Sequence, residues 1–341
     1  MKPPTERTRF LGLSLASGAF EIGVVVGAAA SGWPVELVLA VGLAYQLAAV
    51  FVDGAVHLGL IANRIALVLA ALAALAVVVV HTEKVVFVVA TFVVALVLHS
   101  MRGDGPKGTS TMAKRSFRVV GFVIGAVAGL LVVPITALIL LGIDVASRAQ
   151  VGYREPGPLH LTSAHSVMVI HQSHYFVYAY ALVILLVTGL GVPPALAGIA
   201  FSVGWVSYTL TERVLAGVSA TTTVVFGHFL AALCLLVIGM AHDSFVIVLI
   251  AWFFSGFGGG SVFRLARWVA TSSSPAETHL WENVGHVVGV LVAMVIVFLT
   301  AQLVDTFFVG AALATATAVS YLALSARTPR DQPSSDGTFA M

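Results

Sequence analysis

Long apolar runs, separated by a few polar, Gly or Pro residues, follow one another from one end of the chain to the other. The first four lie near residues 10–30, 35–58, 65–81 and 85–101. A run of about 17 to 25 apolar residues is what a helix needs to cross roughly 30 Å of hydrocarbon. The stretch Arg102–Arg115 is polar and reads as an aqueous loop. The next apolar run, 117–146, is long for one span and short for two, with Pro134 in its middle. After a second polar connection, 147–162, six further apolar segments follow near 163–188, 192–211, 218–240, 244–263, 280–302 and 304–325. The pattern predicts an all-α polytopic membrane protein with a disordered polar tail over 327–341.

Composition points the same way. The 341 residues are 59% hydrophobic and only 9% charged, against about 25% charged in an ordinary soluble domain. So little charge cannot coat a water-facing surface, and no basic patch suggests nucleic acid as a partner. The segment Phe10–Ala30 is long for a signal sequence and is expected to be retained as the first span. The single cysteine, Cys234, sits in an apolar run and reads as a small packing residue.

Charge placement decides how 117–146 is read. If it crosses twice, turning near Pro134, there are about twelve spans and both termini are cytoplasmic. All of the 17 Lys and Arg residues except Lys84 then fall on the cytoplasmic side, as the positive-inside tendency requires. A single crossing would place Arg148, Arg154, Arg213, Arg264 and Arg267 outside. The chain thus divides into an N-terminal six-helix bundle (1–146), a cytoplasmic linker (147–162), a C-terminal six-helix bundle (163–326) and a tail. Two helical halves around a central site suit alternating access.

Between the second and third spans the sequence reads Gly59-Leu-Ile-Ala-Asn63-Arg64. It resembles the start of the G-x-x-x-D-R loop of the major facilitator superfamily, with Asn63 where that family carries Asp and without its later basic residues. Gly121, Gly125 and Gly129 followed by Pro134 resemble the Gly-rich helix of the family's antiporters, or serve close helix packing. Ser255–Ser261 and Trp281–Gly289 resemble Gly-rich positions of its second half. The resemblance implies a carrier with a gating loop at Gly59, Asn63 and Arg64.

Ionisable groups within spans are costly and mark candidate sites. Glu21 stands in the first span. Gln46, Asp53 and His57 share one stripe of the second, where Asp53 and His57 are spaced to pair. A cavity raises a carboxylate's affinity for protons and a neighbouring imidazole opposes this, so Glu21, Asp53 and His57 are proton-coupling candidates. Their structural alternative is a buried hydrogen-bonded lock. In the seventh span His171, His174, Tyr175 and Tyr178 share about a third of the helix circumference, while His165 and Gln172 face elsewhere. In the eleventh, Glu282 and His286 repeat the i, i+4 carboxylate–imidazole spacing, one turn after His279. With Gln46, these form the expected solute-binding set. Arg118 reads as a positive-inside anchor or as neutralising an anion.

The expected function is proton-coupled secondary transport of a small solute by a monomer in the plasma membrane, with solute, protons and lipid as partners and no cofactor or bound metal. The rival is a membrane metalloenzyme of the iron oxygenase type, in which His171 and His174 join His57 or His286. The chain lacks H-E-x-x-H, the His clusters of desaturases and any P-loop.

Overall fold

The computed structural model describes residues 6–54, 60–80, 83–102, 111–147, 160–271 and 273–326. Within them the chain forms thirteen α-helices and no strand. They are α1 (Glu6–Ala30), α2 (Val35–Asp53), α3 (Leu60–Val80), α4 (Lys84–Arg102), α5 (Thr111–Ala128), α6 (Val132–Ser147) and α7 (Ser163–Ile184). Then come α8 (Pro194–Val214), α9 (Ala220–Met240), α10 (Phe245–Gly259), α11 (Val262–Ala270), α12 (Pro275–Thr300) and α13 (Asp305–Ser325). The backbone stays in the right-handed region through Gly260 and Ser261, so α10 and α11 follow one another as one rod. Twelve rods result, compatible with the expected count.

The exterior is apolar. Phe298 is 80% and Leu299 73% exposed, with Leu69, Leu72, Val79 and Val85 also facing outward. Such a belt suits hydrocarbon, where only closed backbone hydrogen bonding is tolerated. α1 and α7 are the most enclosed helices.

The 117–146 run does divide, at Gly129 rather than near Pro134. Gly129 has φ +56°, a left-handed conformation that ends α5 and begins a short 3-10 turn, Gly129–Leu131. Pro134 falls in the first turn of α6, where a missing N–H has no intrahelical partner to lose. α5 in turn runs parallel to α1 at backbone contact. A Cβ on Gly125 would strike the carbonyl of Ala19, and one on Gly23 would come 2.7 Å from the carbonyl of Gly125. Gly125 therefore serves helix packing.

Several helices begin outside the apolar runs that announce them. α12 starts at Pro275, fixed by a capping box in which Ser274 Oγ accepts from the Glu277 N–H at 3.2 Å and Glu277 accepts from the Ser274 N–H at 2.9 Å. α7 is capped likewise by Thr162 and His165. α5 starts at Thr111, so Lys114 and Arg115 are helical, not part of a loop. Asn63 and Arg64 lie in the first turns of α3, Asn63 buried and Arg64 exposed, so the expected gating loop is helical there. His57 and Gly59 lie outside the described residues.

The packing repeats. α1 pairs with α5 as α7 does with α12; α2 with α4 as α8 with α10; α3 with α6 as α9 with α13. The joins obey the same rule, α5 against α8 and α12 against α2. Exchanging the first six rods with the last six, in chain order, maps all these pairs onto one another.

Candidate functional site

Glu21, on α1, is 3% exposed. It is not alone: Arg118 of α5 forms a salt bridge with Oε2, while Gln46 Nε2 of α2 donates to Oε1 at 3.2 Å and the Tyr180 hydroxyl of α7 lies 3.5 Å from it. A carboxylate at this depth costs several kcal/mol unless paired and hydrogen-bonded. Arg118 is thus the ion-pair partner of the buried Glu21 rather than only a positive-inside anchor. Its guanidinium also lies 5.2 Å from the centroid of Trp205, whose Nε1 donates to the Tyr175 hydroxyl at 2.7 Å.

From Glu21 the hydrogen bonds continue to α12. Gln46 Nε2 also donates to Tyr180 Oη at 2.5 Å, which turns its carbonyl oxygen toward His286 Nδ1, 3.2 Å away. That oxygen only accepts, so Nδ1 carries a proton. The other ring nitrogen is 3.1 Å from Gln172 Oε1 on α7. Gln172 serves either state of the ring: its carbonyl accepts from a protonated Nε2, and its amide, turned over, donates to an unprotonated one. Phe176 covers the imidazole at 4.1 Å between centroids. Gln172 does face away from His171 and His174, and that other side is the junction with α2 and α12.

Two further contacts join helices near one end of α2 and α8. Asn283 Nδ2 of α12 donates to Asp53 Oδ2 at the end of α2, at 2.6 Å. Arg115 Nη1 near the start of α5 lies 3.7 Å from Glu212 Oε2 near the end of α8, and Arg267 donates to the same carboxylate at 3.0 Å. The exchange that relates the helix pairs relates these contacts too, each joining a carboxylate near a helix end to a donor on the helix packed across the join. Glu282 pairs with His279, at 3.1 Å, and not with His286 as its spacing suggests. On α12 the i, i+4 neighbour is claimed by Gln46 and Gln172, leaving Glu282 to bond one turn back.

On the far side of α7, His171 and His174 meet His228 of α9, with His171 Nδ1 2.7 Å from His228 Nε2. Tyr178 lies 3.4 Å from Ser255 Oγ and edge-on to Trp252. The structure therefore gathers Glu21, Gln46 and His286 in one network, His171, His174 and Tyr178 in an adjoining cluster, Tyr175 beside Arg118's aromatic neighbour, and Asp53 and Glu282 at one end. Sequence reasoning missed Tyr180 and His228. His228 was legible as an imidazole in the middle of apolar α9; Tyr180 carried no such signal.

The sequence matches no family model and no curated relative. Solved structures do match over nearly the whole chain. The nucleoside transporter NupG, as its D323A mutant, superposes with a TM-score of 0.67 at 11% identity, covering 94% of this chain and 100% of that one. The POT family transporter PepTSo gives 0.64 at 10% identity, covering 94% and 98%. A bacterial homologue of the iron transporter ferroportin, outward-facing, gives 0.56 at 12%, covering 95% and 100%. The chain has the fold of major facilitator superfamily transporters. Each of these three solved structures is a transporter, and what the chain shares with them is the fold.

Proposed function

We propose that the protein is a proton-coupled secondary transporter that moves a small polar solute across the plasma membrane by rocking residues 1–146 against 163–326, with both termini cytoplasmic. The observation that carries this reading is the hydrogen-bonded chain Arg118–Glu21–Gln46–His286–Gln172, with Glu21 and Gln46 buried, which runs from α1, α2 and α5 to α7 and α12. It contains a carboxylate and an imidazole, two groups that exchange protons, and a glutamine able to serve the ring in both states. Protonating Glu21 releases Arg118 and weakens the acceptor that orients Gln46, so loading a proton changes how the two helix sets hold each other. The paired contacts Asp53–Asn283 and Glu212–Arg115 act as the cytoplasmic closure, which makes the present state closed toward the cytoplasm. The fold's nucleoside and peptide carriers guide the choice of solutes to try.

The test is flux in proteoliposomes with an imposed pH gradient, screening nucleosides, dipeptides and amino acids. Wild-type protein should accumulate a solute along the proton gradient. Glu21→Gln and His286→Gln, each folded, should retain counterflow exchange but lose gradient-driven accumulation. Full pH-driven accumulation in both variants would overturn the coupling role.

A further inference from the structure

The three histidines beside the network are not explained by transport coupling. His171 and His174 lie one turn apart on α7, His228 lies on α9, and all three are buried. The nitrogen atoms that they offer one another all lie within 4.8 Å.

Their hydrogen bonds fix where the protons are. His228 Nδ1 faces the Val224 carbonyl at 2.6 Å, and His174 Nδ1 contacts the His171 carbonyl. A carbonyl only accepts, so both Nδ1 atoms carry hydrogen and both Nε2 atoms present lone pairs. His228 Nε2 accepts from His171 Nδ1. His174 Nε2 is buried without a hydrogen-bond partner, which costs about 1–3 kcal/mol for such an atom. A simple interhelical hydrogen bond between His171 and His228 would account for two of the rings and leave this third lone pair unexplained. Rings held by a backbone carbonyl through one nitrogen, with the other nitrogen directed inward, are how metal-binding histidines are oriented.

We propose that His171, His174 and His228 form a binding site for a first-row transition-metal ion, with Nε2 of His174 and His228 and Nδ1 of His171 as ligands. The His171 proton moves from Nδ1 to Nε2, so the ring stays neutral and no proton is lost. Two metal–nitrogen bonds of about 2.0 Å at a tetrahedral angle need their nitrogens roughly 3.3 Å apart, so the 2.7 Å contact opens slightly on binding. Three neutral imidazoles suit zinc, copper, iron or nickel and not magnesium or calcium, which take oxygen ligands. A fourth position stays open, as in three-histidine zinc sites.

Zinc is the probe. Full-length protein in detergent, with its affinity tag removed, is loaded with Zn²⁺, desalted and analysed for metal content, and its affinity is measured by calorimetry. One zinc per chain should be retained. His174→Gln and His228→Gln should each weaken binding by more than about 100-fold, whereas His242→Gln, at the end of α9, should not. Independently of any variant, X-ray absorption of the loaded wild-type protein should show about three imidazole nitrogens near 2.0 Å. Failure to retain zinc, an oxygen-only shell, or binding unaffected by both core variants would overturn the site.

Discussion

Replacing Arg118 by Met leaves Glu21 as a buried carboxylate with only Gln46 and Tyr180 to satisfy it, at 3.2 and 3.5 Å. The side chains of the pair are 4% exposed for Glu21 and 18% for Arg118, so water does little to screen the loss. Breaking a buried pair from one side costs about 3–5 kcal/mol, with about 1 kcal/mol more from the contact between Arg118 and Trp205. At about 2 °C per kcal/mol for a chain of this size, Arg118→Met should unfold some 8–12 °C below wild type. Removing both charges, in Glu21→Met with Arg118→Met, leaves no uncompensated ion, and apolar replacement of a buried pair is often neutral. The double variant should recover most of the loss, giving a coupling of several kcal/mol. Thermal melts in one detergent, read by tryptophan fluorescence with Trp205 as the local reporter, provide the cycle. Additive losses, with the double variant the least stable, would refute the claim that Glu21 and Arg118 act as one unit.

Gly125→Ala should lower stability by about 1–3 kcal/mol, because its methyl group meets the backbone of α1 and neither helix can yield without moving the other; the same melts measure it. Gly129→Ala should cost about 1–2 kcal/mol through its positive φ, and would leave stability unchanged if α5 ran straight into α6. Asp53→Ala combined with Glu212→Ala should raise the population open toward the cytoplasm, seen as longer distances between spin labels at Met101 of α4 and Thr271 after α11; unchanged distances would remove these contacts as a closure. With His286→Leu the pH dependence of solute exchange should flatten, whereas Gln172→Glu should displace it toward higher pH because a carboxylate favours the protonated ring; an unshifted profile in Gln172→Glu would show that this ring does not titrate during exchange.

What the chain revealed about itself followed the cost of polarity in hydrocarbon. Apolar run lengths and the expected placement of Lys and Arg led to a count compatible with the twelve rods, because both respond to the bilayer directly. Boundaries were missed where polar first turns carry a helix out of the hydrocarbon, as Ser274 and Glu277 do for α12 and Thr111 does for α5. The break at Gly129 hid behind Pro134, since a proline is conspicuous in sequence while a left-handed glycine is visible only in its dihedral. Glu21, Gln46 and His286 stood out as polar residues in spans. Their partners did not: Arg118 lies 97 residues from Glu21, and Gln46 lies 134 from Tyr180. Such distances are closed by helix packing, and spacing along one helix cannot report them. Glu282 shows the reverse error, a local spacing that tertiary partners overrode.

The repeated helix pairing carries a consequence for the conformation not seen here. If the two sets of six rods are interchangeable in form, then each is a template for the other's alternative shape. Imposing the arrangement of the last six rods on the first six, and that of the first six on the last, outlines coordinates for the oppositely facing state. In that state Asp53 and Glu212 would lose their donors together, since one exchange of rods relates both contacts, so the proposed closure would release as one event instead of two.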